Sequence, residues 1–242
     1  MGLGLKVGLL ADLDQNDPDS AEAKRHLFAA MAKAMADVGL VPHAEPKDCV
    51  IWDADGYRYT GLHALREVAG LVWRGLPIPT DHPLTGTDTP NADALFTTAA
   101  AACAPERRQG LFERLLGEKR TARPPLPPFA HLVLHSDADG FYVPVDFVQP
   151  LIPLPAPAGT ELLWPLGSVQ RLAAELEVLA RALGLPDTLP DPDTLLETWL
   201  ESPSPGPITA LWQAQPIATH SLIILRKACD HSLRTGAAIA FV

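Results

Sequence analysis

Residues 131–147, HLVLHSDADGFYVPVDF, bring His131, His135, Asp137, Tyr142 and Asp146 close together in the chain. An imidazole beside a carboxylate is the usual equipment for moving a proton, and a phenol can donate to a ligand carboxylate or phosphate. Asp139-Gly140 is a turn signal between two apolar-alternating runs, which predicts a β-hairpin. A two-residue turn keeps Leu132, Leu134, Val143, Val145 and Phe147 on one face. It leaves His131, His135, Asp137, Tyr142 and Asp146 on the other. A slip of one residue would mix the two sets. Pro144 has no amide to give, so its strand is expected at an edge or to open there. His135, Asp137, Tyr142 and Asp146 are therefore the candidate residues for touching a partner or ligand.

Other chemistries fit less well. His135-Ser136-Asp137 is contiguous, so on a strand its side chains alternate in direction, and no GxSxG elbow accompanies it. A serine hydrolase is not indicated. The paired segments WDADGYRY and SDADGFYV bear closely spaced carboxylates but lack the further ligands of an EF-hand loop. His131 and His135 on a strand would stand about 13 Å apart, too far for one zinc ion. His220 and His231 on the last helix, and His63 and Arg66 on an earlier one, read as boundary or solvent-facing residues. Neither GxGxxG nor GxxxxGK[ST] occurs. No metal and no cofactor is expected.

These residues must be held by the rest of the chain. Residues 5–11 read as a first strand. Asp17-Pro18 opens a helix running to Gly39, with Leu27, Phe28, Met31, Met35 and Val38 on one stripe. A second hairpin is expected from Cys49–Trp52 and Tyr57–Tyr59 around Asp55-Gly56. Leu62, Leu65, Val68, Ala69 and Val72 give a helix ending near Gly75. Residues 77–90 form a long loop of turn formers, and helices follow at 91–103 and 105–118. Ser168 caps a helix with Leu172, Leu176, Leu179 and Leu183 inward. Asp191-Pro192 opens another, and a final helix over 219–235 precedes a terminal strand, AIAFV. The expected fold is α+β: a small, mainly antiparallel sheet made of two hairpins, packed with about five to seven helices. One domain over 1–242 is expected, with 148–160, rich in proline, as the place for an internal boundary.

The segments HSDADGFYVPVDF, VGLLADLDQNDPDSAE, GSVQRLAAEL and RTGAAIAFV, in this order over most of the chain, resemble a bacterial family of proteins with no assigned activity. The resemblance makes the 135–147 motif a family feature. It carries over no cofactor, partner or residue role.

The 242 residues are 47% hydrophobic and carry a net charge of -10, with a pI near 5.2. Such a balance argues against binding nucleic acid or an anionic membrane through bulk charge, and suits a basic protein partner. Three dispersed cysteines form no CxxC pair, as in a reducing compartment. The start of the chain has no signal-peptide pattern, Lys6 breaks a myristoylation signal, and no apolar run reaches spanning length. A cytoplasmic, non-enzymatic binding protein of immunity or regulatory type, engaging its partner through an acidic surface, is the expected function. The alternative is a metal-assisted or acid–base hydrolase on the His135/Asp137/Asp146 face. Oligomeric state is left open.

Overall fold

A computed structural model describes residues 3–56, 58–104, 123–137, 139–151, 165–201 and 210–242. In chain order these are β1 (Leu3–Val7), α1 (Leu9–Asn16), α2 (Pro18–Asp37), β2 (Trp52–Gly56), α3 (Arg58–Arg74), α4 (Pro90–Cys103), α5 (Ala130–Leu134), β3 (Phe141–Val143), β4 (Leu166–Ser168), α6 (Val169–Leu183), α7 (Pro192–Glu201), α8 (Leu211–Ala214), α9 (Pro216–Thr235) and β5 (Ile239–Phe241). The expected helix at 105–118 and most of the proline-rich connector lie outside the described residues.

The fold is α+β. One five-stranded sheet runs in the order β2-β1-β5-β3-β4. Three of its pairings are antiparallel and β3–β4 is parallel. Alternation along β5 divides the core in two. Ile239 and Phe241 join β1, α3, α4, α5, α6 and α9 on one side. Ala238 and Ala240 join Leu9, Phe28, Met31, Met35 and Phe141 on the other. Helices thus cover both faces of the sheet, nine of them among the described residues rather than five to seven.

Neither hairpin forms. WDADG is itself strand β2, paired antiparallel with β1, and Lys6 stands opposite Asp53. That register puts opposite charges across the strands while Leu3, Leu5 and Val7 face the core. The stretch expected as the first strand of the central hairpin is the short helix α5. Its Leu132, Val133 and Leu134 are all buried, and a run buried on every side carries no period to separate strand from helix.

What decides for a helix lies far away in the chain. Glu175 on α6 accepts the amides of His131 and Leu132 at 3.1 and 2.9 Å. Arg66 on α3 takes the carbonyls of Leu132 and His135 at 3.0 and 2.6 Å. A five-residue helix leaves almost all of its backbone groups without internal partners, and two neighbouring helices supply them. Glu67 does the same for α4, accepting the amides of Asn91 and Ala92 at 3.0 and 2.8 Å. Gly70, one turn further along α3, lets this junction close. A Cβ there would stand 2.3 Å from the Asn91 carbonyl carbon.

The 77–90 loop is tied down by one buried side chain. Gln215 accepts from the Leu84 amide at 2.7 Å and donates to the Pro79 and His82 carbonyls at 2.8 and 3.0 Å. Among the described residues no helix is long and apolar enough to cross a membrane.

Candidate functional site

The four residues expected to share a face separate into three places. Tyr142 is wholly buried, its hydroxyl donating to the His131 carbonyl at 3.0 Å. His135 stacks flat on it, with ring centroids 4.1 Å apart and planes 10° apart. Its Nδ1 donates to the Ser136 carbonyl at 2.9 Å. Burial, with Arg66 nearby, pushes His135 down to about 3, so the ring stays neutral. Asp146 is exposed and bound by Arg171 through Nε at 2.6 Å and a terminal nitrogen at 3.0 Å. Asp137 is the half-exposed one of the four, on a cavity whose wall the buried His135 also joins. The single polar face is thereby corrected: α5 replaces the strand that would have alternated, and β3 buries Phe141, Tyr142 and Val143 alike. The hydrolase geometry built on that face goes with it.

His131 is equally enclosed. Its Nδ1 accepts from the Ser168 amide at 3.0 Å, which leaves Nε2 to donate to the Val148 carbonyl at 3.1 Å. Burial pushes it down to about 4. Glu175 moves the opposite way, up to about 8 by burial, against the two α5 amides that favour its carboxylate.

Asp137 sits at the mouth of a cavity of about 500 Å³ between α3, α4 and the end of α5. Arg66 pairs with its Oδ1, and His63 Nε2 lies 2.8 Å from Oδ2. Burial raises this carboxyl, but His63 and the guanidinium outweigh it and hold the group well below the usual carboxylate range. Reading His63 and Arg66 as solvent-facing missed this contact. The signal was present: Arg66 falls within the helical stripe of Leu62, Leu65 and Ala69, where a charge must have a buried partner.

Reactive groups are few. Among the described residues no cluster of His, Cys, Asp and Glu could hold a metal ion. Burial raises the thiols of Cys49, Cys103 and Cys229, which keeps them from acting as thiolates.

The acids form the larger pattern. Glu67 and Glu175 are spent on helix amides, and Glu45 accepts from the Ala238 amide at 2.8 Å. Asp12, Asp14, Glu22, Asp37, Asp146 and Glu177 each face a lysine or arginine. From Ala182 to Leu225 the chain has Asp187, Asp191, Asp193, Glu197 and Glu201 but no lysine or arginine. All five are exposed. Asp191 caps α7, accepting from the Thr194 amide at 2.9 Å, and Asp193 Oδ1 lies 3.3 Å from His220 Nε2. Asp193, Glu197 and Glu201 are four residues apart, one stripe with a step of about 6 Å. On the edge strand β2, Asp53 and Asp55 point outward together, about 6.6 Å apart along the strand. Both steps are comparable with that between neighbouring phosphates on one nucleic-acid strand.

Fold and surface together define an acidic α+β protein with a run of exposed carboxylates from Asp187 to Glu201. A family model described as "Putative DNA-mimic protein" matches residues 1–241, and the chain belongs to that family. No curated protein and no solved structure matches it. Membership makes this an acidic protein that acts by binding a partner. It also corrects one expectation drawn from bulk charge. The expectation that set nucleic acid aside is overturned, because DNA is what the family is described as imitating, and the expected basic protein partner fits that description.

Proposed function

We propose that the protein occupies the DNA site of a DNA-binding protein and keeps DNA out, acting as a stoichiometric regulator or immunity factor. The observation that carries this reading is the cation-free stretch 182–225 with its α7 stripe of exposed carboxylates. A surface built to hold phosphates is lined with lysine and arginine and their guanidinium or ammonium donors. Carboxylates at phosphate-like steps satisfy those donors, and among the described residues no lysine or arginine forms an ion pair with Asp193, Glu197 or Glu201, Asp193 being paired with His220. Complementary charge of this kind acts mainly on the rate of encounter and on rejection of wrong partners.

The test is capture of proteins from cell extract on immobilised protein, followed by elution with duplex DNA. DNA-binding proteins are expected in the eluate. The triple variant Asp187→Asn/Glu197→Gln/Glu201→Gln removes three exposed charges that have no described ion pair. It is expected to melt as wild type does, to associate about tenfold more slowly with the eluted partner, and to show a shallower salt dependence. Unchanged association and salt slope would remove the stripe from the interface.

A further inference from the structure

The cavity beside Asp137 lies apart from the α7 stripe, and its wall is one-sided in hydrogen-bonding terms. Its guanidinium and the first amides of α4 are spent. Arg66 gives its Nε to the Leu132 carbonyl and its terminal nitrogens to Asp137 and the His135 carbonyl. The first amides of α4, at Asn91 and Ala92, go to Glu67, and that of Asp93 goes to the Thr89 carbonyl at 2.9 Å. His63 Nε2 is engaged with Oδ2 of Asp137 at 2.8 Å.

The acceptors are not spent. Asp93 is exposed on the wall, and no ion pair reaches it among the described residues. Phe96, three residues on and hence on the same side of α4, is 49% exposed beside it. The charges of Arg66 and Asp137 offset each other, and Asp93 adds a carboxylate beyond that pair. An anion would meet the Asp93 carboxylate and a guanidinium already engaged, whereas a planar cation would find a carboxylate and an aromatic face.

We propose that this cavity is a socket for one arginine side chain of a protein partner. A guanidinium pairs in plane with a carboxylate and stacks on an aromatic ring, two things an ammonium does less well. The cavity, about 500 Å³, has room for the side chain and part of the turn that carries it. An aromatic-walled pocket filled by arginine is also how binding energy concentrates at interfaces. The origin of that arginine in a DNA-binding protein rests on the function proposed above. The chemistry of the socket does not.

The probe is N-acetyl-L-arginine methylamide, titrated into 15N-labelled protein. Saturable shifts are expected at the amides of Asp93 and Phe96, with the lysine analogue weaker and the neutral citrulline analogue without effect. Asp93→Asn and Phe96→Ala alter exposed positions, and each is expected to weaken the probe about tenfold. Absence of saturable shifts, equal binding of citrulline, equal binding by the Asp93→Asn variant, or acetate shifting the same amides would each overturn the socket. The α7 triple variant is expected to bind the probe as wild type does. Should DNA compete with the protein for its partner while Asp93→Asn and Phe96→Ala leave partner affinity intact, the socket alone fails. Should the probe bind but no DNA-eluted partner exist, the function alone fails.

Discussion

Arg66→Ala is expected to cost about 3–5 kcal/mol, a large part of the roughly 5–15 kcal/mol that holds a domain together. Arg66 is 7% exposed. Its three groups hold the end of α5, the carbonyl of His135 and the carboxylate of Asp137 at once. Removing it leaves two carbonyls without donors and a half-exposed carboxylate without its cation, and each orphaned carbonyl costs about 1–3 kcal/mol. Arg66→Lys is expected to fall nearly as far, because one ammonium on a flexible stem cannot reproduce a planar fork. Asp137→Asn, which keeps an acceptor and whose carboxylate is partly solvated, is expected to cost only about 1 kcal/mol. Urea denaturation of the three variants decides the matter. An Arg66→Ala protein within about 1 kcal/mol of wild type would mean that α5 needs no such clamp.

The second large effect is on stability against pH. His131 and His135 are lowered in the folded protein to about 4 and about 3 from an ordinary 6.5, so the unfolded chain binds protons that the folded one refuses. Their contribution is present above pH 6.5 and is lost as pH falls below it. Glu175 is raised from 4.5 to about 8, so its contribution is present below pH 4.5 and is lost as pH rises toward 8. One unit of pKa shift is worth about 1.4 kcal/mol. Between pH 6.5 and 4.5 His131 and His135 act against Glu175, with His220, also lowered by burial, adding in the same direction, and stability falls by about 1.4 kcal/mol or more per unit of acidification. Between pH 6.5 and 8 Glu175 acts alone, and stability falls by about the same amount per unit of alkalinisation. A maximum near pH 6.5 is therefore expected in melting temperature, with Glu175→Gln losing the alkaline limb. A flat profile from pH 4.5 to 8 would show these groups to be solvated.

What was legible in the sequence was local. Asp17-Pro18, Ser168 before its leucine stripe, and Asp191-Pro192 mark helix starts that the structure has. The terminal strand is β5. What failed depended on distant side chains. HLVL forms a helix because Glu175 and Arg66 meet its two ends, and nothing within 131–147 encodes either. Both carriers left the same trace. Arg66 lies among Leu62, Leu65 and Ala69, and Glu175 among Leu172, Leu176 and Leu179, charges set inside apolar stripes where solvent cannot serve them. Asp-Gly misled for a related reason. It permits a turn, but at 53–56 the pairing with β1 outweighs that permission. The cation-free stretch 182–225 was in plain view, yet a whole-chain charge of -10 averages it away.

The most direct measurement of the proposed function follows a labelled duplex bound to the DNA-eluted partner. Increasing amounts of unlabelled protein are added, and anisotropy is read at equilibrium. Anisotropy is expected to fall to that of free DNA, with the apparent Kd for DNA rising in proportion to the protein added and without a plateau. A rise above the partner–DNA value, marking a complex that holds both, or a plateau short of full release, would contradict occupation of the DNA site.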